Sequence, residues 1–523
     1  MPRPLAIVST AALVIYLAAA AWLGRLERSG PPHADIVLGG GIPATLYLPG
    51  AGGGDPRAAF LDAPPRGARP PGVVLMHGFA SDRLGMSSLA RRLATSGYAV
   101  LTFDASGHGE NRTPYRRSFA RADSFESDYA SAVAFLRESP LVDGERIAVM
   151  GHSMGAGASL DYATRDAGLD AAVMISGGWS AFGPWTPRNT LFLYAGGDPP
   201  MIAQRARELA ARLAGVDAVE VGHTYGDALQ GSAVRVAEVP GADHATIIWS
   251  REAAAEIVRW LDAAFGRAPR EPEIPPEPRL RAVLIALLAL PFVLAGLGAV
   301  IAQVVPAVGT PKSRNPVTAL AILAAALLFT MPLLAADTPA SFLSVEVGDV
   351  VASHFALAGV ALLVWLAARG QTDLALFREP LRLALGAGLG ALSVYVLMLP
   401  IGAVVHRMTL TPERLLVLAA ASAVVLPFTL AFQLLLRHGA PRRATLTCAL
   451  GRVLVLAMLG IGVATGLLSF VVLLMLPALT LVFVLMEILA SSLYAASRNL
   501  AAVALIDAMW LGFTIAAVMP IRI

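Results

Sequence analysis

Hydrophobic and polar positions divide the chain into regions made for different solvents. Residues 30–275 mix charged, polar and apolar positions in the short alternations of a water-soluble domain, whereas 280–520 is a series of long apolar runs. Runs of about 20 apolar residues are what a helix needs to cross a bilayer. Eight such spans are read in the second half, at roughly 281–304, 317–336, 350–368, 383–405, 415–436, 446–463, 466–487 and 499–519. The sixth and seventh nearly merge around Gly460 and Gly466. A further apolar run, residues 5–23, opens the chain behind a short lead carrying Arg3. It exceeds the usual core of a signal peptide and is expected to remain as an anchor, although the alanines at 18–21 resemble a cleavage site. The Pro- and charge-rich stretch from Arg267 to Pro278 cannot form regular helix and reads as an extended spacer. The expected organisation is an anchor at 1–28, a soluble domain at 30–266, a linker at 267–279 and a transmembrane bundle at 280–523.

Composition agrees with this division. A hydrophobic fraction of 56% and a mean hydropathy of +0.64 are too high for an ordinary soluble enzyme. The net charge of +3 comes almost wholly from arginine, since Lys312 is the single lysine. No basic stripe interleaves with aromatics, so nucleic acid is not an expected partner. Cys448 is the only cysteine and lies in an apolar run, which excludes an internal disulfide and a cysteine-based metal site.

Loop charges set the expected orientation. With the N-terminus inside, cytoplasmic loops carry Lys312 and Arg314, then Arg369, Arg378 and Arg382, then Arg437, Arg442 and Arg443, then Arg498. The opposite loop after Ala336 holds Asp337, Glu346 and Asp349. Arg279, Arg281, Arg407 and Arg414 run against the pattern. Nine spans then leave the C-terminus and the soluble domain outside, in what is expected to be a bacterial cytoplasmic membrane.

The chemistry is concentrated in the soluble domain. An apolar run from Arg146 leads into Gly151-His-Ser-Met-Gly155, followed by small residues that open a helical pattern. This is the strand-turn-helix setting of a nucleophile elbow, in which Gly151 and Gly155 leave room for a strained turn at Ser153. Alone, a five-residue pattern arises by chance in a glycine-rich chain. Three further segments follow the expected order. Gly72-Val-Val-Leu-Met-His-Gly-Phe79 is a strand ending in His77 and Gly78, placing the backbone N–H of Phe79 with that of Met154 as an oxyanion hole. His77 orders that loop and is not a base. Leu191-Phe-Leu-Tyr-Ala-Gly-Gly-Asp198 ends a strand in a carboxylate, and Val239-Pro-Gly-Ala-Asp-His244 ends the next in a histidine. Ser153 is read as nucleophile, His244 as general base and Asp198 as the acid that orients it. Asp243 is the weaker acid candidate.

Residues 73–260 resemble the α/β-hydrolase superfamily, nearest its esterase/lipase and serine-aminopeptidase-like hydrolases. His77-Gly-Phe-Ala-Ser, Tyr98-Ala-Val-Leu-Thr-Phe-Asp104, Ala105-Ser-Gly-His-Gly109 and Asp143-Gly-Glu-Arg-Ile147 carry the resemblance beside the elbow, and Ile42-Pro-Ala-Thr-Leu-Tyr-Leu-Pro49 is similar to the strand upstream. It implies a doubly wound, mostly parallel α/β sheet beside the all-α transmembrane bundle, which resembles no recognised family. It also implies an enzyme that needs no cofactor. Serine at the elbow disfavours dehalogenase and epoxide-hydrolase chemistry. The short connection from residue 176 to Thr190 leaves no room for a helical cap, and its Trp179, Phe182 and Trp185 are candidates for an acyl pocket or for packing.

The remaining signals are weaker. Arg112, Arg116, Arg117 and Arg121 read as a solvated loop face. Arg452, Glu487 and Asp507 lie within spans, where charges are expensive and seek partners; a pair holding the bundle together is expected. His354 and His406 lie near span ends, with no cluster that would make a metal site. The expected function is hydrolysis of a small-molecule or lipid ester at the bilayer, with acyl transfer or peptide hydrolysis on the same triad as an alternative. A transporter or sensor with a non-catalytic hydrolase-like domain is the reading from another class. Oligomeric state is not legible.

Overall fold

A computed structural model describes residues 3–50, 64–116, 125–178, 186–309, 314–334, 343–372 and 377–522. The chain forms two compact units. One comprises Leu23–Arg281 with Gly402–Thr409 and the extreme C-terminus; the other comprises Met1–Trp22, Ala282–Ile401 and Leu410–Ile521.

In the first unit, β1 (His33–Leu38) and β2 (Ile42–Tyr47) are followed by β3 (Pro71–Met76), helix α2 (Ser87–Thr95), β4 (Ala99–Phe103), α3 (Glu126–Glu138), β5 (Asp143–His152), α4 (Met154–Ala163) and β6 (Ala171–Ile175). Then come β7 (Thr190–Ala195), α5 (Pro200–Ala214), β8 (Thr224–Tyr225), β9 (Val234–Val239) and α6 (Arg251–Ala264). Helix α1 (Arg3–Arg28) precedes them all. The sheet order is β1-β2-β4-β3-β5-β6-β7-β9-β8. β3 is parallel to β4 and to β5, and parallel pairing continues through β6, β7 and β9. The short β8 and the β1–β2 pair close the edges in antiparallel fashion.

The parallel strands read as continuous apolar runs because both faces are covered. Val74 and Met76 enter the core under α3, α4 and α5, and their neighbours Val73 and Leu75 enter the core under α2 and α6, following the two-residue alternation of a strand. This is the doubly wound α/β-hydrolase fold expected from the sequence. β3 lies between β4 and β5, so chain order reverses there, and loops at the carboxyl ends of such strands form the cleft.

The second unit is helical. Beyond most of α1 it contains α7 (Pro278–Ile301), α8 (Pro316–Thr330), α9 (Gly348–Ala368), α10 (Pro380–Val405), α11 (Pro412–Leu436), α12 (Pro441–Ala464), α13 (Phe470–Ser497) and α14 (Leu500–Val518). Among the described residues nine helices, α1 included, are long and apolar enough to cross a membrane. α12 and α13 are separate, divided by a turn in which Gly466 takes the left-handed backbone (φ +76°).

Glycines let the helices of this unit approach closely. A Cβ on Gly359 of α9 would lie 2.2 Å from the Phe428 backbone of α11, and one on Gly512 of α14 would lie 2.8 Å from the Ser422 backbone. The charges within the spans do pair. Arg452 donates to Glu487 (3.1 Å) and to Asp507 (2.7 Å), so it pairs with both carboxylates at once rather than with one. Gln433 adds a bond to Asp507 at 2.9 Å. Arg437 corrects its reading as a loop charge: it is fully buried and donates to both Glu487 oxygens at 2.8 Å. Arg414 is also buried, its guanidinium donating to the carbonyls of Ala516 (2.6 Å) and Met519 (3.0 Å), where the end of α14 favours a cation. His354 and His406 are both buried.

Candidate active site

β5 delivers Ser153 into the turn that opens α4, with φ +52° and ψ −111°. A non-glycine residue holds such a conformation only where its surroundings force it. The flanking glycines show how tightly the elbow is packed. A Cβ on Gly151 would stand 2.3 Å from the Gly155 carbonyl, and one on Gly155 would stand 2.6 Å from the Met76 carbonyl oxygen. Tyr129 and Ser159 brace the turn from beneath: their hydroxyls are 2.6 Å apart, and Ser159 donates to the Gly155 carbonyl at 2.7 Å.

The three residues read as nucleophile, base and acid converge from the ends of β5, β7 and β9. His244 Nε2 is 3.0 Å from Ser153 Oγ, and its Nδ1 is 2.7 Å from Asp198 Oδ1. Asp198 Oδ2 accepts from the Ser176 hydroxyl (2.6 Å) and the Ala195 N–H (2.8 Å). Burial alone would raise the Asp198 pKa. The bonds from His244, Ser176 and Ala195 outweigh it and hold the carboxyl below its usual range. Asp243 serves elsewhere, its Oδ1 accepting from the N–H groups of Ala245 (2.9 Å) and Thr246 (2.8 Å).

Met154 is the first residue of α4, where backbone N–H groups have no intrahelical acceptor. Gly78 presses on the elbow from the end of β3: a Cβ there would lie 3.3 Å from the Ser153 Cβ and 2.9 Å from His152 Nδ1. Phe79 is the residue that follows this contact in the chain. The Phe79 ring meets His108 and Tyr115 edge-on, with centroids 5.9 and 6.4 Å away. His77 orders this loop as expected, its Nδ1–H donating to the Gly78 carbonyl (2.7 Å) while Nε2 accepts from the Ala105 N–H (3.1 Å). Burial pushes its pKa down to about 4, so the ring is neutral.

Two supporting residues escaped the sequence reading. His152, buried beside Ser153, donates from Nε2 to the His244 carbonyl at 2.7 Å and so ties the His244 loop to the elbow. Burial, then the neighbouring His244, push its pKa down to about 3. Ser176, at the end of β6, holds the second oxygen of Asp198. His152 had a visible signal, being the variable position inside the elbow motif; Ser176 had none beyond its place at a strand end.

Arg112 and Arg116 are exposed. Arg117, Arg121, Trp179, Phe182 and Trp185 lie outside the described residues. Among the described residues no group of three or more His, Cys, Asp or Glu could hold a metal ion. A cavity of about 490 Å³ lined by Arg69, Arg146 and Arg267 opens at the opposite, N-terminal edge of β3 and β5, away from Ser153.

This fold and this arrangement are those of serine hydrolases of the α/β-hydrolase class. Residues 68–214 match the family described as serine aminopeptidase, S33. Over 140 residues the chain is 29% identical to the quorum-quenching protein AidA of Acinetobacter baumannii, covering 26% of this chain and 46% of that protein. It is 30% identical over 131 residues to a bis(hydroxyethyl) terephthalate hydrolase of Streptomyces coelicolor, covering 25% and 40% respectively. The chain thus spans less than half the length of these relatives. A solved esterase structure from Pyrobaculum calidifontis aligns with 51% of this chain and 99% of its own, at 18% identity and a TM-score of 0.33.

Proposed function

We propose that this protein is a membrane-embedded serine hydrolase that cleaves a carboxylic ester through an acyl-enzyme on Ser153. The observation that carries the reading is the unbroken chain Ser153 Oγ–His244–Asp198, with contacts of 3.0 and 2.7 Å. His244 takes the Ser153 proton as Oγ attacks the ester carbonyl. The oxyanion that develops accepts from the N–H groups of Phe79 and Met154. His244 then gives its proton to the departing alcohol oxygen, and water enters by the same route to release the acid. Asp198 stays ionised throughout, orienting the imidazole and stabilising its cation.

Preference for an ester draws on the relative named bis(hydroxyethyl) terephthalate hydrolase, that compound being a carboxylic diester. The peptidase alternative draws on the name of the matching family, and the triad geometry serves both leaving groups. The nine apolar helices among the described residues support embedding in a bilayer, and a hydrophobic or lipid-derived ester follows from that surrounding alone. Helix α1 runs without a break through residues 18–21, with Ala12, Tyr16, Ala19 and Leu23 buried, which supports a retained anchor.

The test is labelling of the purified full-length protein with a fluorophosphonate probe. Wild type is expected to label and Ser153→Ala to show none. A folded wild type that does not label at Ser153 overturns the reading. A series of acyl esters of increasing chain length then separates esterase from lipase behaviour, and an anilide series tests the amide alternative.

A further inference from the structure

Phe79 belongs to a turn that is strained and held from outside. The next residue, Ala80, has φ +56°, a left-handed conformation that an alanine keeps only under restraint. His77 supplies restraint on one side. On the other, the buried Asp82 closes the turn, its Oδ1 accepting from the N–H groups of Leu84 (2.9 Å) and Gly85 (3.3 Å).

The second oxygen of Asp82 faces Gly402–Thr409, the part of this unit formed by the last turn of α10 and the residues that follow it toward α11. Asp82 Oδ2 accepts from the Arg407 backbone N–H at 2.6 Å, and His406 Nδ1 is 3.4 Å away. The Arg407 guanidinium then spans two more carboxylates, Glu110 and Asp35, both at 2.7 Å. Glu110 also accepts from Arg83 at 2.6 Å. Arg83 follows Asp82 directly, and both its backbone N–H (2.9 Å) and its guanidinium bind the buried Asp104 at the end of β4. Asp35, Asp82, Asp104 and Glu110 thus face Arg83 and Arg407, so removal of Arg407 leaves four carboxylates around one guanidinium. Contact is close throughout: a Cβ on Gly85 would lie 3.3 Å from the Val405 carbonyl oxygen.

We propose that the 402–409 segment is a positioning element for the oxyanion turn, with Arg407 as its anchoring residue. The proposal rests on the serine-hydrolase reading of Ser153. Arg407 touches no reacting atom. It fixes Asp82 and Glu110, which hold the turn that aims the Phe79 N–H, and it gives the connection between two apolar helices a part in catalysis that a plain anchor would not have.

The experiment measures fluorophosphonate labelling rate, kcat, KM and thermal unfolding on the full-length protein. Asp82→Asn keeps the oxygen that closes the turn and sets an NH2 group against the Arg407 N–H; Arg407→Ala removes the guanidinium. Both are expected to slow labelling and lower kcat by roughly 10- to 100-fold, less than the loss of a whole oxyanion donor. KM is expected to stay within about twofold, the pattern of an interaction made in the transition state. Arg407→Lys, able to reach one carboxylate but not to span two, is expected to recover part of the rate. Variants that unfold earlier yet turn over at the wild-type kcat overturn the proposal and leave the hydrolase reading intact. No Ser153 labelling in wild type overturns both. Should Arg407→Ala not fold, the isosteric Asp82→Asn decides alone.

Discussion

Asp198 offers the sharpest test at the level of single side chains, because each of its oxygens has a separate task. One orients His244, and the other is fixed by Ser176 and Ala195. Asp198→Asn keeps the shape but presents the wrong hydrogen-bonding partner to the imidazole. Its kcat is expected to fall on the order of 10⁴-fold, as for triads generally, while Ser176→Ala, which removes one of three bonds to the carboxylate, is expected to lower it far less. Equal losses would mean that Ser176 does more than hold the acid. The two buried histidines give a second test. In the unfolded chain His77 and His152 titrate near 6.5, whereas the folded state keeps them neutral down to about 4 and about 3. Below pH 6.5 the unfolded chain therefore binds more protons, and acidification favours unfolding through that window. Each unit of difference is worth ~1.4 kcal/mol. The unfolding temperature of the full-length protein is expected to drop between pH 7 and pH 5, and to drop less in His152→Gln; an identical drop would sink the assignment. Ser153, His244 and Asp198 were legible because each ends an apolar strand pattern in the expected order. The supporting roles of His152 and Ser176 were not, since His152 occupies the variable position of the elbow motif and Ser176 ends its strand outside any motif, so nothing in the pattern points to the bonds they make.

For whole elements, apolar run length is enough to locate helices, and the eight spans of the second half fall where the runs predict, within a few residues at most ends. What run length cannot tell is which polar groups at helix ends turn inward. Arg437 ends an apolar run beside other arginines and reads as a loop charge; the partner that buries it, Glu487, is 50 positions away. The resulting network joins α11, α12, α13 and α14 through Gln433, Arg437, Arg452, Glu487 and Asp507. Breaking one partner of such a buried set is far more damaging than removing an opposed pair, roughly 3–5 kcal/mol for a single break. Arg452→Met is therefore expected to lower the unfolding temperature in detergent markedly. Arg452→Met combined with Asp507→Leu is expected to lie closer to wild type than the single change. Losses that simply add would show that the two side chains do not act as a unit.

For the whole molecule, the question is what the orientation of nine helices does for the hydrolase. Basic residues in short loops set membrane orientation, and three of the four that ran against an N-terminus-inside arrangement have specific partners. Arg407 binds Asp35 and Glu110, Arg414 caps the end of α14, and Arg279 is buried between Glu27 (2.7 Å) and Glu277 (2.8 Å). Arg281 alone among them stays exposed. On the inner side Arg437 is buried and Arg382 pairs with Glu379 (2.9 Å), but Arg314, Arg369, Arg378, Arg442, Arg443 and Arg498 remain. The balance supports the proposal that the hydrolase unit lies outside the cytoplasm, in reach of extracellular or envelope esters. A reporter active only in the cytoplasm, fused in the linker near Pro276, is expected to be silent, and one active only outside is expected to signal. The same pair fused after Arg442 is expected to give the opposite result, because five helices separate the two points. Cytoplasmic activity at the linker would reverse the orientation and confine the substrate to the cell interior, while leaving the chemistry at Ser153 untouched.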